Sequence, residues 1–290
     1  MDYRNQPSSG TGPSKSQTTT RKSYTFYFGG ELFSTKHLLG NALLAESIFT
    51  RSGGRFVAVL PQNIEQQREG DTSPHAIRDA DIQALLACDL GLFHYDGPEL
   101  DSGTVVEFMM AKFADLPAVI LRTDFRRGGD QMYGPQVANE TEDGASATGE
   151  RTPAADTAAA ERGSGDPWNL MSSFFPRTVS VVVDAMALYT SSLEQRLPPG
   201  RAPSEPAGQH ETLQGNRSGR AGVQMIEQTA ERVIEAFERV LGMSQAIPED
   251  LQVPVYRWLG LMPGFKGAGT EWEGRMVELL NEKRTKGLLG

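Results

Sequence analysis

Two carboxylates six residues apart, Asp101 and Glu107, with Ser102, Gly103 and Thr104 between them, are where this sequence comes closest to doing chemistry. They follow an apolar run, Leu90 to Tyr95, that gives way through Gly97 and Pro98 to a helical pattern beginning near Thr104. The stretch reads as strand, loop and helix. In open α/β sheets, ligands bind outside the carboxyl ends of the strands, where loops lead into helices. On this reading Glu107 falls in the first helical turn, where the partial positive charge of the helix favours its ionised form. A carboxylate held ionised there can attack an electron-poor carbon or stabilise a cation. The same residues admit a structural role: Thr104-x-x-Glu107 fits a capping box, in which Glu107 only bonds back to the backbone of the cap.

These groups need a scaffold, and the pattern along the chain supplies one. Tyr24 to Phe28 is aromatic and β-prone and ends at Gly29-Gly30. Ser34 or Thr35 can cap a helix whose apolar positions, among them Leu38, Leu39, Ala42 and Leu43, run to Gly53-Gly54. Phe56 to Leu60 reads as a second strand stopped by Pro61, and His75 to Asp89 as an amphipathic helix. Leu90 to Tyr95, the helix carrying Glu107, and a fourth strand from Pro117 to Leu121 continue an alternation that points to a parallel sheet. A fifth strand spans Thr178 to Val183, a helix starts at Met186, and Val223 to Leu241 carries a long helical stripe. The fold expected is α/β and flavodoxin-like, with a five-stranded, mostly parallel sheet and helices on both faces.

The remainder reads differently. Of 290 residues, 38% are hydrophobic, too few for a chain folded throughout. Residues 1–22, 127–166 and 197–222 have too few large apolar side chains to offset the entropy of ordering, and are expected to be a disordered tail and two disordered insertions. That leaves residues 23–245 as the main domain and 246–290 as a helical extension, whose apolar set (Trp258, Leu259, Leu261, Trp272, Met276, Leu279, Leu280) is too small for a core of its own. The net charge of -9 argues against a nucleic acid or an anionic membrane as partner. No apolar run is long enough to span a bilayer. A lone cysteine, Cys88, excludes an intrachain disulfide and fits a core position. The scattered histidines His37, His75, His94 and His210 have no metal-ligand spacing, and neither a phosphate loop nor a dinucleotide glycine fingerprint occurs. No metal and no cofactor is expected, and a cytoplasmic location is.

Several segments taken together carry a resemblance. Tyr27-Phe28-Gly29-Gly30 with Phe33 closes the first strand, Asp81 precedes Asp89, Asp101-x-Gly103-Thr104-x-x-Glu107 opens a helix, and Asn169-Leu170-Met171 precedes the last strand. In this order they resemble the nucleoside 2-deoxyribosyltransferase family, over roughly Ser23 to Val183. The resemblance implies that Glu107 is the nucleophile, forming a deoxyribosyl ester that a second base resolves with net retention. It implies that Asp81 manages the proton of the base, that Tyr27 orients Glu107, that Asp101 holds sugar hydroxyls, and that Gly29, Phe33 and Gly103 line the substrate. Asn169 and Met171 would enter the site from a neighbouring subunit, making a homo-oligomer the working form, with deoxynucleosides and nucleobases as ligands. The chain departs from the family's short members, whose terminal tyrosine carboxylate helps form the site, by running on to Gly290. Gln62, Asn63 and Glu65 are all open as readers of the base. Two other functions also stay open. One is a glycosidase acting with water on a deoxynucleoside or its 5'-monophosphate, with Arg122, Arg126, Ser102 and Thr104 near a phosphate. The other is a nucleotide-binding module without turnover.

Overall fold

The computed structural model describes residues 22–64, 73–97, 100–124, 170–194, 217–262 and 270–290. The tail expected over residues 1–22 falls almost wholly outside these, as do the insertion at 127–166 and most of the second. Five strands, β1 (Tyr24–Gly29), β2 (Phe56–Val59), β3 (Leu90–His94), β4 (Ala118–Arg122) and β5 (Thr178–Val182), form one sheet in the order β2-β1-β3-β4-β5, and every pairing is parallel. This is the flavodoxin-like arrangement expected. Its helices are α1 (Thr35–Arg51), α2 (Pro61–Ile64), α3 (Pro74–Ala87), α4 (Ser102–Phe113), α5 (Ala185–Glu194), α6 (Arg217–Leu241), α7 (Glu249–Gly260) and α8 (Thr270–Thr285).

Alternation along the strands divides the core in two. On one face Phe26, Phe28, Leu90, Leu92, Val119 and Leu121 pack against α1 and α6, with Phe237 of α6 lying 5.0 Å from the ring of Phe26 and 4.9 Å from that of Phe56. On the other, Tyr27, Phe93, Tyr95, Ala118 and Ile120 pack with Leu85, Phe108 and Ala111 of α3 and α4. The C-terminal helices join this second face through Tyr256, Leu259, Met276, Leu279 and Leu280, and the Tyr256 hydroxyl donates to the Ala114 carbonyl at 2.9 Å.

Two boundaries differ from the sequence pattern. Helix α6 begins at Arg217, inside the stretch read as linker, because buried Ala221 already belongs to its inner face. Helix α4 begins at Ser102, not near Thr104, because Asp101 is its cap: one carboxylate oxygen accepts from the Thr104 backbone N–H and from its hydroxyl, both at 2.8 Å. An ionised carboxylate at that end also faces the positive pole of the helix.

Candidate active site

The earlier start of α4 moves Glu107 into the second turn, so the capping box is not made and the side chain is left to face the sheet. It meets β1. The Tyr27 hydroxyl, fully buried, donates to Glu107 Oε1 at 2.7 Å. The other oxygen, Oε2, sits where a side chain at Gly29 would stand: an added Cβ would lie 2.8 Å from it and 3.0 Å from the Phe93 ring. Gly29 therefore has a steric role toward Glu107 itself. Phe93 in turn packs edge-on against Phe108 of α4, at 5.3 Å between ring centres.

Enclosure changes the acid–base character of the pair. Burial pushes the Glu107 carboxyl up to about 7, the negative charges of Asp81 and Asp101 push in the same direction, and the Tyr27 hydrogen bond pulls against them. The expectation of a carboxylate held ionised by the helix is thus corrected, since the dipole acts mainly over the first turn and Glu107 lies beyond it. Burial and the neighbouring Glu107 carboxylate push the Tyr27 hydroxyl far above its ordinary range, so it stays a donor. At neutral pH the arrangement offers a carboxyl poised between its two protonation states with a fixed phenol donor on one oxygen. It can act as a nucleophile or as a general acid–base group.

The other residues picked out from the sequence are placed unequally. Asp81, on α3, lies within electrostatic reach of both Glu107 and Tyr27. Asp101 spends Oδ2 on the cap, and no described residue donates to its Oδ1. Gly103 leaves space for that cap, since an added Cβ would come within 3.2 Å of Asp101 Oδ2. Phe33 and Met171 are not packed into the site but stand 76% and 79% exposed. Asn169, Glu65 and Arg126 lie outside the described residues. Gln62 bonds to the Leu38 carbonyl and to Asn41, Arg122 is buried at the end of β4, and Ser102 is exposed at the start of α4. Among the described residues no group of three or more His, Cys, Asp or Glu side chains could hold a metal ion, and no helix is long and apolar enough to cross a membrane.

Tyr95 is the residue that the sequence reading passed over. It is buried, lies on the Tyr27 face of the sheet, and is raised by burial and by the Glu107 charge, while the Ser172 side chain pulls the other way. The signal was present: alternation along β3 puts Gly91, Phe93 and Tyr95 on one side, and only the last carries a polar tip.

No curated protein matches this chain. A conserved protein from Enterococcus faecalis V583, known as a crystal structure, is 33% identical over 37% of this chain and 69% of its own, with a TM-score of 0.32. A 2-deoxyribosyltransferase from the psychrotolerant bacterium Bacillus psychrosaccharolyticus is 16% identical over 35% of this chain and 74% of its own, with a TM-score of 0.29. The longer match is to the family model described as nucleoside 2-deoxyribosyltransferase, over residues 26–171. Half of the chain lies in that span, from the strand of Tyr27 through the helix of Glu107 to Met171, and the chain belongs to the nucleoside 2-deoxyribosyltransferase family.

Proposed function

We propose that the chain transfers 2-deoxyribose between nucleobases through a covalent ester on Glu107. The observation that carries this reading is the pair of contacts at one carboxyl group: a phenol donor on Oε1 at 2.7 Å and a glycine backbone behind Oε2. They fix the group in one orientation. In the first half-reaction a Glu107 oxygen bonds to the anomeric carbon as the N-glycosidic bond breaks. The bonding electrons leave with the base nitrogen, and Asp81 supplies the proton that nitrogen takes up. In the second half-reaction an incoming base attacks the same carbon from the vacated side, the ester bond breaks back to the carboxylate, and Asp81 recovers a proton. Two inversions give retention, as in retaining glycosyl transfer through an oxocarbenium-like transition state. The free Oδ1 side of Asp101 suits a sugar hydroxyl.

Hydrolysis on the same residues is the second reading, favoured by the exposure of Phe33 and Met171, because an open mouth admits water to the ester. A homo-oligomer that covers these two side chains would tip the balance toward transfer. The test is incubation with deoxyinosine, with and without adenine, followed by chromatography of bases and nucleosides, beside a Glu107→Ala control. Deoxyadenosine formed only with adenine and only with Glu107 intact supports transfer, and hypoxanthine released without an acceptor supports hydrolysis. If neither deoxyinosine, thymidine nor a deoxynucleoside monophosphate is consumed, the enzyme reading is wrong and the binding module stands.

A further inference from the structure

Behind the Glu107 site, on the opposite face of the same two strands, lies a partly open cavity. Successive residues at the end of β1 point in opposite directions: Gly29 toward Glu107 Oε2, and Gly30 toward His94, whose Cβ an added side chain would meet at 3.2 Å. His94 opens onto a cavity of about 200 Å³ between the carboxyl end of the sheet and helices α1 and α6. Two histidine–carboxylate pairs stand in its lining. His94 Nε2 is 3.0 Å from Asp96, and His37 Nε2 is 2.9 Å from Glu31. The two pairs are not equivalent. Asp96 is already saturated, accepting from the Thr123 N–H at 2.6 Å, the Asp124 N–H at 3.0 Å and the Thr123 hydroxyl. The pair at the start of α1 has capacity left: His37 Nδ1 is buried and has no partner among the described residues. The Asn41 amide nitrogen is directed to the Glu31 carbonyl and to Gln62, which leaves its oxygen to accept. Leu44, Met225 and Ile226 supply an apolar wall, and Gly40 widens the space, since nothing lies within 4 Å of a Cβ built there.

The lining selects against several ligand classes. Glu31 and Asp96 stand beside Lys36, so the lining has no excess of positive charge to hold an anion such as inorganic phosphate, in a chain already at -9. No metal-holding group exists among the described residues. At about 200 Å³ the cavity is below the ~300 Å³ at which sites for larger ligands begin, so it suits one ring system and not a nucleoside. What remains is a small neutral ligand, flat enough to lie between imidazole and aliphatic walls, with N–H and acceptor groups along one edge. We propose that this cavity is a second site for a free nucleobase, on the side of β1 and β3 opposite Glu107. The choice of a nucleobase rests on the proposed function, whereas the cavity and its polar groups do not.

Of the chain's four histidines, His37 and His94 line this cavity and neither is among the groups that act on Glu107, so their ring signals report on the second site. The experiment is long-range proton–nitrogen NMR of the imidazoles of the full chain, titrated at fixed pH with adenine, hypoxanthine, uracil and, separately, inorganic phosphate. Saturable shifts of the His37 and His94 rings with at least one base, at constant His75, are expected. Gly40→Phe, which places a ring in the cavity, is expected to weaken that titration by about tenfold or more. Ala185→Phe fills the cavity from α5 and serves if the first variant does not fold. The proposal is overturned if no base moves the two rings, if phosphate moves them and bases do not, or if the shifts survive undiminished in whichever filled variant folds. These outcomes are independent of turnover, so loss of the transferase reading and loss of this one are told apart.

Discussion

Glu107 and Tyr27 form a unit whose titration has consequences in two directions. Burial holds the Glu107 carboxyl at about 7 against an ordinary value of 4.5, so the folded chain keeps a proton that the unfolded chain has released. Stability therefore falls as pH rises from about 4.5 to about 7 and is level above that. Glu107→Gln removes this dependence, and its advantage over the unmodified chain in thermal or urea unfolding should grow from pH 5 to pH 8, to about 3 kcal/mol. Parallel stability curves for the two proteins would mean that the folded chain does not retain this proton. In activity, the nucleophile must be ionised, so kcat/KM for a deoxynucleoside should have an acidic limb near pH 7. Tyr27→Phe removes the donor that lowers the Glu107 value, so the limb should move to higher pH and the plateau should fall on the order of 100-fold. An unmoved limb and an unchanged plateau would reduce Tyr27 to a packing residue. The contact itself was implied by resemblance, but the raised pKa was not legible. Charge placement near a helix start can be read from spacing, whereas burial of the carboxyl against Tyr27 and Gly29 needs α4 and β1 to be brought together.

At the scale of elements, the end of α4 does two things with one residue. Asp101 terminates the loop by capping the helix, and its charge raises the Glu107 carboxyl. Substitution separates the two. Asp101→Ala loses the cap and should cost about 1 kcal/mol in chemical denaturation. Asp101→Asn keeps a good capping side chain while deleting the charge, so stability should change by less than about 0.5 kcal/mol and the acidic limb of kcat/KM should move to lower pH. A limb that stays in place in Asp101→Asn and moves only in Asp101→Ala would show that only the cap matters. The sequence favoured the wrong cap because Thr104 and Glu107 carry the letters of a capping box and sit just inside the apolar pattern. Asp101 outcompetes Thr104, being one turn earlier and able to accept two bonds on a single oxygen. The start of α6 was hidden for a related reason: Arg217, Ser218, Gly219 and Gly222 have the composition of a linker, and only the burial of Ala221 against the core makes that turn pay its entropy. The strands and their parallel arrangement were legible, since short apolar runs alternating with helical stripes leave few topologies for a parallel sheet.

For the molecule as a whole, the sequence shows that residues 246–290 are too poor in apolar groups to fold alone, but not where they dock, because a helical stripe suits any apolar face of the right width. The structure decides this with polar ties as much as with packing. Asp115, in the turn between α4 and β4, has φ of 53°, a left-handed conformation that Asp tolerates better than most residues. From there its carboxylate accepts from the backbone N–H groups of Ala246 at 2.8 Å and Ile247 at 3.1 Å, at the entrance to α7. Its backbone carbonyl accepts from Arg177 Nη1 at 2.7 Å, while Nη2 of the same guanidinium donates to the Leu288 carbonyl at 2.9 Å. One buried ion pair, 3.4 Å across, thus joins the sheet to both ends of the C-terminal helical pair. Asp115→Asn preserves the left-handed turn and an acceptor for the two N–H groups, but leaves the buried Arg177 charge uncompensated. The expected loss is about 3 kcal/mol in urea unfolding, within the range for a broken buried pair, with amide exchange quickening first in α7 and α8. Those helices share one hydrophobic cluster with Phe108 and Ala111 of α4, the helix that carries Glu107, so kcat should fall along with protection. A loss below about 1 kcal/mol, with exchange in α7 and α8 unchanged, would mean that the two carbonyls satisfy Arg177 unaided and that packing around Tyr256 alone secures the extension.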